Sequence, residues 1–365
     1  MFGGIYAGKR VLVTGHTGFK GSWLSHWLLQ LGAQVTGFSL YEPSRPSNFE
    51  VLGLRSRLDH REGDLRNSAA LQAVFEEVKP EIVFHLAAQA IVHASYDDPK
   101  TTLDTNFGGT VNVLEAIRRS GSVQAAVLIT SDKCYENAEW EFGYRETDQL
   151  GGKDPYSVSK ACAELAIRAY IHSYFSSPAS ARIASTRAGN VIGGGDWARD
   201  RIVPDCARAW EKGEPLVIRN PKATRPWQHV LEPLGAYLWL MSRLLKTPQQ
   251  VMGEAFNFGP NGDATYAVDE LISELERTWK GHGVRCNGGP SDLKAEAGLL
   301  KLNCDKALQR LQWKATLSFE EGVRMTGEWY REYYDQHAAM REVADRQIER
   351  YVALARERGR VWARA

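Results

Sequence analysis

Cysteine is scarce. Cys134, Cys162, Cys206, Cys286 and Cys304 are five in 365 residues, scattered and odd in number, with no CxxC pair. That argues against a disulfide framework and against a zinc site, so no metal is expected. Reduced thiols in a cytoplasm are the expectation instead. Long apolar runs are missing too. The longest, Leu234 to Leu245, is interrupted by Ser242 and Arg243 and falls short of the roughly 20 residues a membrane span needs. Met1 to Arg10 is Gly-rich and lacks the apolar stretch of a signal peptide. An excess of charge is absent: 45 basic against 44 acidic residues leave +1. Neither nucleic acid nor an anionic membrane is therefore expected as a partner, although a local basic cluster can still bind a diphosphate. There is no low-complexity linker and no internal repeat.

What remains is an ordinary globular composition, 43% hydrophobic and 24% charged, long enough to bury a substantial core. Short apolar runs alternate with amphipathic stretches in the first half. Arg10–Thr14, Gln34–Phe38, Glu81–Ala88 and Val123–Thr130 read as strands; Ser22–Leu31, Ala69–Val78, Thr101–Ser120 and Pro155–Phe175 read as helices. Such alternation implies a doubly wound (Rossmann-type) parallel sheet covered on both faces, here spanning about residues 8–190. Beyond Asn190, after the Gly193-Gly194-Gly195 loop, shorter pieces follow: Pro204–Lys212, Leu216–Ile218, His229–Leu245 and Ala255–Phe258. They read as a smaller mixed α/β lobe over 191–335, with returns of the chain to the first domain left open. Residues 336–365, rich in Arg, Glu and Ala, read as a charged, solvated helix or tail.

The first apolar run ends in Thr14-Gly15-His16-Thr17-Gly18-Phe19-Lys20-Gly21. Between a strand and a helix, this GxxGxxG spacing has a physical purpose. Gly15 makes the tight turn, Gly18 admits a pyrophosphate and Gly21 lets the helix pack on the sheet, whose N–H groups and dipole then face the phosphates. Thr17, Phe19 and Lys20 lie in the same loop and count among the cofactor contacts. Further candidates are Asp64, as acceptor from an adenine amino group, its neighbour Leu65, the small Ala87 and Ala88 at a strand end, and Thr130. At the end of the second run stands Phe38-Ser39-Leu40, without the acid that would bind a ribose 2′-hydroxyl, while Arg45 lies nearby. This segment leaves NAD and NADP open.

Tyr156-Ser157-Val158-Ser159-Lys160 has YxxxK spacing. Four residues apart on a helix, the two side chains share a face, and an ammonium beside a phenol brings its pKa down from about 10 toward neutrality. A solvated surface pair would look the same; the position after the glycine loop and the Val123–Thr130 run is what favours a base. Thr130-Ser131-Asp132-Lys133 ends that run, at the carboxyl edge where parallel sheets bind ligands. Ser131 suits a hydrogen bond to a reacting hydroxyl, and Asp132 and Lys133 put an acid and an amine at the same lip; a polar turn with a solvated pair is the alternative. Asn190, Arg219 and Arg225 are candidates for a diphosphate, with surface solubility as the competing account of each arginine. His85, inside an apolar strand, reads as a satisfied buried histidine, and His229 as a helix cap.

Taken in order, TGHTGFKG, GDL, HLAAQA, TSDKCY, YSVSK and RAGNVIGGGDW resemble the nucleotide-sugar branch of the extended short-chain dehydrogenases/reductases, and the likeness covers nearly the whole chain. Within that branch the sugar 4,6-dehydratases carry an acid–base pair after the Ser/Thr, Asp-Glu in enzymes for dTDP-glucose and Asp-Lys in enzymes for CDP-glucose. Asp132-Lys133 and GHTGFKGSWL are similar to the latter. The resemblance implies NAD as cofactor, a nucleotide sugar as substrate, and catalytic Ser131, Asp132, Lys133, Tyr156 and Lys160. It also implies a homodimer through a four-helix bundle of Thr101–Ser120 and Pro155–Phe175, and a 4-keto-6-deoxy product suited to deoxysugars of surface polysaccharide such as lipopolysaccharide O-antigen. A 4-epimerase or dTDP-glucose dehydratase on the same scaffold, and more remotely a non-catalytic dinucleotide sensor, are the rivals.

Overall fold

In the computed structural model, which describes residues 1–218, 220–260, 265–279, 285–287 and 299–364, the apolar runs join further strands in one parallel sheet. They are β1 (Arg10–Thr14), β2 (Gln34–Ser39), β3 (Asp59–Glu62), β4 (Ile82–His85), β5 (Ala125–Ile129), β6 (Arg182–Arg187) and β7 (Ala255–Asn257). Their spatial order is β7-β6-β5-β4-β1-β2-β3, and every pairing is parallel.

Alternate side chains of each strand enter different cores. Leu12, Val83, Ala126, Leu128 and Ile183 meet Leu71, Phe75, Val113, Leu114, Ile117 and Ile167 from the helices Ser68–Val78, Gly109–Arg119 and Pro155–Tyr174. Val11, Val13, Phe84 and Val127 turn the other way, onto Trp23, Trp27, Leu231 and Leu234 of the helices Phe19–Gln30 and Leu231–Lys246. This is the doubly wound sheet expected from the alternation. The winding reverses at β1, flanked by β2 and β4, which opens a crevice at the strand carboxyl ends.

Two elements, β3 and the C-terminal segment, differ from the sequence reading, and the returns of the chain that it left open are present. β3 was not anticipated, because Asp59-His60-Arg61-Glu62 is a polar edge strand with no apolar run to mark it. Ala255–Asn257 pairs with β6 in the main sheet, Phe256 opposite Thr186. The Leu231–Lys246 helix likewise covers β5 and β6, so the chain returns to the first unit after residue 191. The final segment forms the helix Met340–Glu357, and it is not simply solvated. Val343, Ile348, Tyr351 and Val352 are buried, and Trp362 stacks on Phe2 at 5.2 Å.

Among the described residues, three two-residue or three-residue pairings lie outside the main sheet: Val191–Ile192 with Gln228–His229, Thr224–Arg225 with Tyr266–Ala267, and Leu216–Ile218 with Arg285–Asn287. Among the described residues no helix is long and apolar enough to cross a membrane.

Candidate active site

The glycine loop is tight for reasons of contact. Gly15 has φ +77°, and a Cβ there would stand 2.6 Å from the backbone nitrogen of Ala87. A Cβ on Gly21 would stand 2.0 Å from the Gly15 carbonyl oxygen. Gly18 caps the Phe19–Gln30 helix without any side-chain cap bond, so the amides of the first turn are not claimed by a side chain. A dinucleotide's pyrophosphate fits this arrangement. The Thr17 hydroxyl donates to the Tyr41 carbonyl at 2.7 Å, which ties the loop to the segment after β2. Phe19 is half-buried. Lys20 extends inward and donates to the Tyr237 hydroxyl at 3.1 Å.

At the tip of β2, Ser39 Oγ lies 3.1 Å from His16 Nδ1, and His16 Nε2 lies 2.7 Å from His60 Nδ1. Burial pushes His16 down to about 3, so it is neutral. Gly37 makes room for this ring, since a Cβ there would stand 2.2 Å from it. Asp64, expected to receive an adenine amino group, is held by Arg66 at 2.6 Å, and that bond keeps its carboxyl below the ordinary range. Leu65 is buried, and Ala87 and Ala88 line the end of β4. His85 is satisfied on both nitrogens, by Thr14 at 2.7 Å and Thr110 at 3.1 Å. His229 Nδ1 accepts from the Leu231 amide at the start of the next helix.

The proton-handling groups converge beyond β5. Thr130 donates to Glu164 and accepts no role at the surface, being buried. Ser131 caps a single turn, Asp132–Cys134, and its hydroxyl donates to Asp132 Oδ1 at 2.9 Å while accepting the Lys133 amide at 3.2 Å. Tyr156 enters from the first turn of the Pro155–Tyr174 helix, which Asp154 caps through the Ser157 amide. The Ser131 hydroxyl is near enough to Tyr156 to ease the loss of the phenol's proton. Lys160 lies one turn on, its Nζ 6.0 Å from the centre of the Tyr156 ring.

The expected fall of the Tyr156 pKa is not realised in this state. Burial pushes the phenol up to about 12, with the Asp132 charge adding to the rise, and the Ser131 hydroxyl and the Arg201 charge only partly offset it. Burial, helped by the positive charge of Lys20, pushes Lys160 down to about 8. At that distance from the ring, one ammonium does not outweigh the desolvation of a phenolate.

Asp132 is only 4% exposed and lies against the backbone of Gly189. Asn190, at φ +51°, turns its amide toward Asp132 Oδ2 at 3.5 Å; the sequence reading had assigned that amide to a diphosphate. Lys133 is half-buried at the same lip. Arg225 is half-buried in the Thr224–Arg225 strand and donates to the Thr224 carbonyl at 2.8 Å. Arg219 lies outside the described residues.

Two residues escaped the sequence reading. Arg201 pairs with Asp196 at 2.9 Å and stands within electrostatic reach of both Tyr156 and Lys20. Tyr237, fully buried, anchors Lys20. The GGGDW run draws attention to Asp196, but nothing in the sequence selects Arg201 from its neighbour Arg199. Beneath the site, Arg187 and Glu164 form a buried ion pair of 2.7 Å, with Ser185 donating to Glu164 and Arg187 donating to Tyr135.

A CDP-glucose 4,6-dehydratase of Salmonella typhimurium is 45% identical over 331 residues, 89% of this chain and 91% of that one. Among solved structures, an epimerase of Methanothermobacter thermautotrophicus superposes with a TM-score of 0.78 at 25% identity, over 93% of this chain and 96% of that one. The dTDP-glucose 4,6-dehydratase of Bacillus anthracis, solved in complex with NAD, gives 0.72 at 23% identity over 90% and 98%, a likeness of fold alone. The family model described as GDP-mannose 4,6 dehydratase matches residues 12–326. With glycine loop, Ser131 turn and Tyr156/Lys160 helix all inside that match, the chain belongs to the GDP-mannose 4,6 dehydratase family.

Proposed function

We propose that the chain converts CDP-D-glucose to CDP-4-dehydro-6-deoxy-D-glucose and water, with NAD retained and recycled in each turnover. The observation that carries this reading is the pair Asp132-Lys133, set in the turn after β5, with the Asp132 carboxylate within electrostatic reach of Tyr156. Removing water across C5 and C6 needs a base for the C5 proton and an acid for the C6 hydroxyl, and a 4-epimerase needs neither. The Salmonella relative, named for CDP-glucose, supports the choice of nucleotide.

Gly15, Thr17, Gly18, Phe19, Lys20, Gly21, Asp64, Leu65, Ala87, Ala88, Thr130, Tyr156 and Lys160 are the residues assigned to the cofactor. NAD held there would supply a hydride acceptor for C4 and a hydride donor for C6, so net redox would be zero. Tyr156 takes the proton of the C4 hydroxyl, with Lys160 supporting the phenolate and Ser131 holding the hydroxyl. The 4-ketone acidifies the C5 proton, which Lys133 removes as the free amine. Asp132, in its acid form, protonates the C6 hydroxyl, which leaves as water. Lys133 then returns its proton to C5. Asn190 and Arg225, with Arg219, are assigned to the nucleotide diphosphate.

Phe107, Val158 and Leu165 are exposed apolar residues on the helices expected to form a dimer. Val158 and Leu165, seven residues apart, share a face. A homodimer through this face is part of the proposal, and Leu165→Lys should shift the sedimentation coefficient to that of a monomer.

The test of the reaction is incubation of the purified protein with CDP-glucose and no added cofactor, followed by mass analysis. Loss of one water with no net change in nicotinamide absorbance is the expected result. An unchanged mass, also with added NAD and with dTDP-, UDP- and GDP-glucose, would overturn the reading.

A further inference from the structure

The turn that carries Asp132 and Lys133 is held at both ends by one buried ion pair. Ahead of the turn, the Thr130 hydroxyl donates to Glu164 Oε1 at 2.5 Å. Behind it, Arg187 Nη1 donates to the Tyr135 hydroxyl at 2.8 Å, with the guanidinium 4.9 Å from the centre of that ring. Glu164 and Arg187 meet at 2.7 Å, and both are buried. Ser131, Asp132 and Lys133 stand between the two anchors.

The same pair reaches the rest of the site. Glu164 lies four residues beyond Lys160 and eight beyond Tyr156, so the three share one face of the Pro155–Tyr174 helix. Its Oε2 accepts from Ser185 at 3.0 Å as well as from Arg187. Ser185 and Arg187 belong to β6, and Gly189, against which Asp132 lies, follows Arg187 by two residues. Arg187 also donates to the Glu146 carbonyl at 3.2 Å, and Tyr135 donates to Asn257 Oδ1 at 2.7 Å, at the end of β7. One carboxylate and one guanidinium thus join the helix of Tyr156 and Lys160, the turn, and three strand ends.

Stability alone does not account for such a pair. Two ions taken out of water regain by mutual attraction little more than their desolvation costs, and apolar side chains of similar volume often hold a fold as well or better. What apolar side chains lack is direction. Burial opposes the charge on Glu164, but Arg187 and the hydroxyls of Thr130 and Ser185 hold its carboxyl below the ordinary range, so it only accepts. The guanidinium only donates, in a fixed planar fork. The polarity of each bond to the pair is therefore settled, and the turn is tied in one arrangement.

We propose that the Glu164–Arg187 pair is the positioning element of the acid–base turn, setting where Asp132 and Lys133 stand relative to Tyr156 and Lys160. Both residues act through the groups they hold. This rests on the dehydration reading, in which the turn supplies both the acid and the base.

The test is the double variant Glu164→Leu/Arg187→Met. It removes both charges together, so no ion is left buried without its partner, and its melting temperature should stay close to that of wild type. KM for CDP-glucose and the amount of NAD retained should also be little changed. Water loss should nevertheless fall by about 10²-fold, the cost of displacing a catalytic group by roughly 1 Å. Oxidation at C4, which uses Tyr156 and Lys160, should outlast it, so absorbance of reduced nicotinamide should build up on mixing with CDP-glucose. Tyr135→Phe frees one end of the turn and leaves the ion pair in place. It should show the same pattern with a loss of roughly 10-fold, the worth of one hydrogen bond, and it decides the matter if the double variant does not fold. A folded double variant, or Tyr135→Phe, that loses water at the wild-type rate would overturn the proposal and leave the pair a structural element. So would an equal fall of both steps that tracks a fall in melting temperature, since a loosened fold explains that. Wild-type protein that loses no water from any nucleotide glucose would overturn the dehydration reading itself.

Discussion

Asp132 occupies the space that a side chain on Gly189 would fill: a Cβ there would stand 1.9 Å from Oδ2. The glycine is therefore a condition for the acid's position. Gly189→Ala should leave the fold nearly intact, because the displaced atoms are the end of a side chain and not backbone. It should nevertheless lower kcat for water loss by about 10²-fold, the cost of moving a catalytic group by roughly 1 Å. Thermal unfolding and cofactor retention close to wild type, together with slowed dehydration, would establish this. Unaltered dehydration would mean that Asp132 is not the acid.

Lys133 and Tyr156 act on different bonds, so their loss should arrest the reaction at different points. Lys133→Met keeps both Tyr156 and Ser131. Oxidation at C4 should continue, and reduced nicotinamide should accumulate as absorbance at 340 nm. Water loss should fall by about 10²- to 10⁴-fold, the usual worth of a general base. Tyr156→Phe should abolish both signals. If Lys133→Met loses water at the wild-type rate, the base lies elsewhere.

Much of this site could be read from the residues themselves. The glycine loop, the Ser131 turn and the Tyr156/Lys160 pair are local in sequence, and each sits at the end of an apolar run whose period marks a strand or helix. β3 was missed because an edge strand has no apolar neighbour on its outer side, so Asp59 to Glu62 has nothing to hide. The return of Ala255–Asn257 to the main sheet was left open, since a three-residue run announces a strand but not its partner. Arg201 and Tyr237 reach the site from distant segments, and only the folded chain brings them there. The high pKa of Tyr156 was misjudged for a similar reason: spacing supplies the lysine but says nothing of how deeply the phenol is buried.

Lys20 supplies the next test. Its ammonium is anchored on Tyr237 and its charge helps hold Lys160 down at about 8. Lys20→Met removes a positive neighbour, so Lys160 should keep its proton to higher pH. Where activity needs Lys160 charged, the alkaline limb of kcat should move upward, and Lys20→Arg should leave it in place. The profile has to be measured at saturating NAD, so that a weakened phosphate contact does not masquerade as a shifted limb. Superimposable profiles for Lys20→Met and wild-type protein would confine Lys20 to cofactor binding.

The last prediction concerns the C-terminal helix. Glu232, at the start of the Leu231–Lys246 helix, accepts the amides of Thr316 and Leu317 at 2.8 and 2.6 Å and the Tyr351 hydroxyl at 3.0 Å. It thereby ties Met340–Glu357 to the sheet. Burial pushes its carboxyl up to about 7, although those three donors pull the other way. A carboxyl raised on folding binds its proton more tightly in the native state. Its effect on stability is then a loss as pH rises from the ordinary carboxylate range, near 4.5, to about 7, because the folded state must give up a proton that the unfolded chain has already lost. Above that window the cost is constant, on the order of a few kcal/mol. Glu232→Gln keeps an acceptor oxygen for the two amides and has no proton to lose. The variant should be no more stable than wild type near pH 5 and more stable at pH 8, with a flatter dependence of melting temperature on pH between them. Parallel curves for the two proteins would show that Glu232 remains ionised across the range, held by its three donors more firmly than burial opposes them.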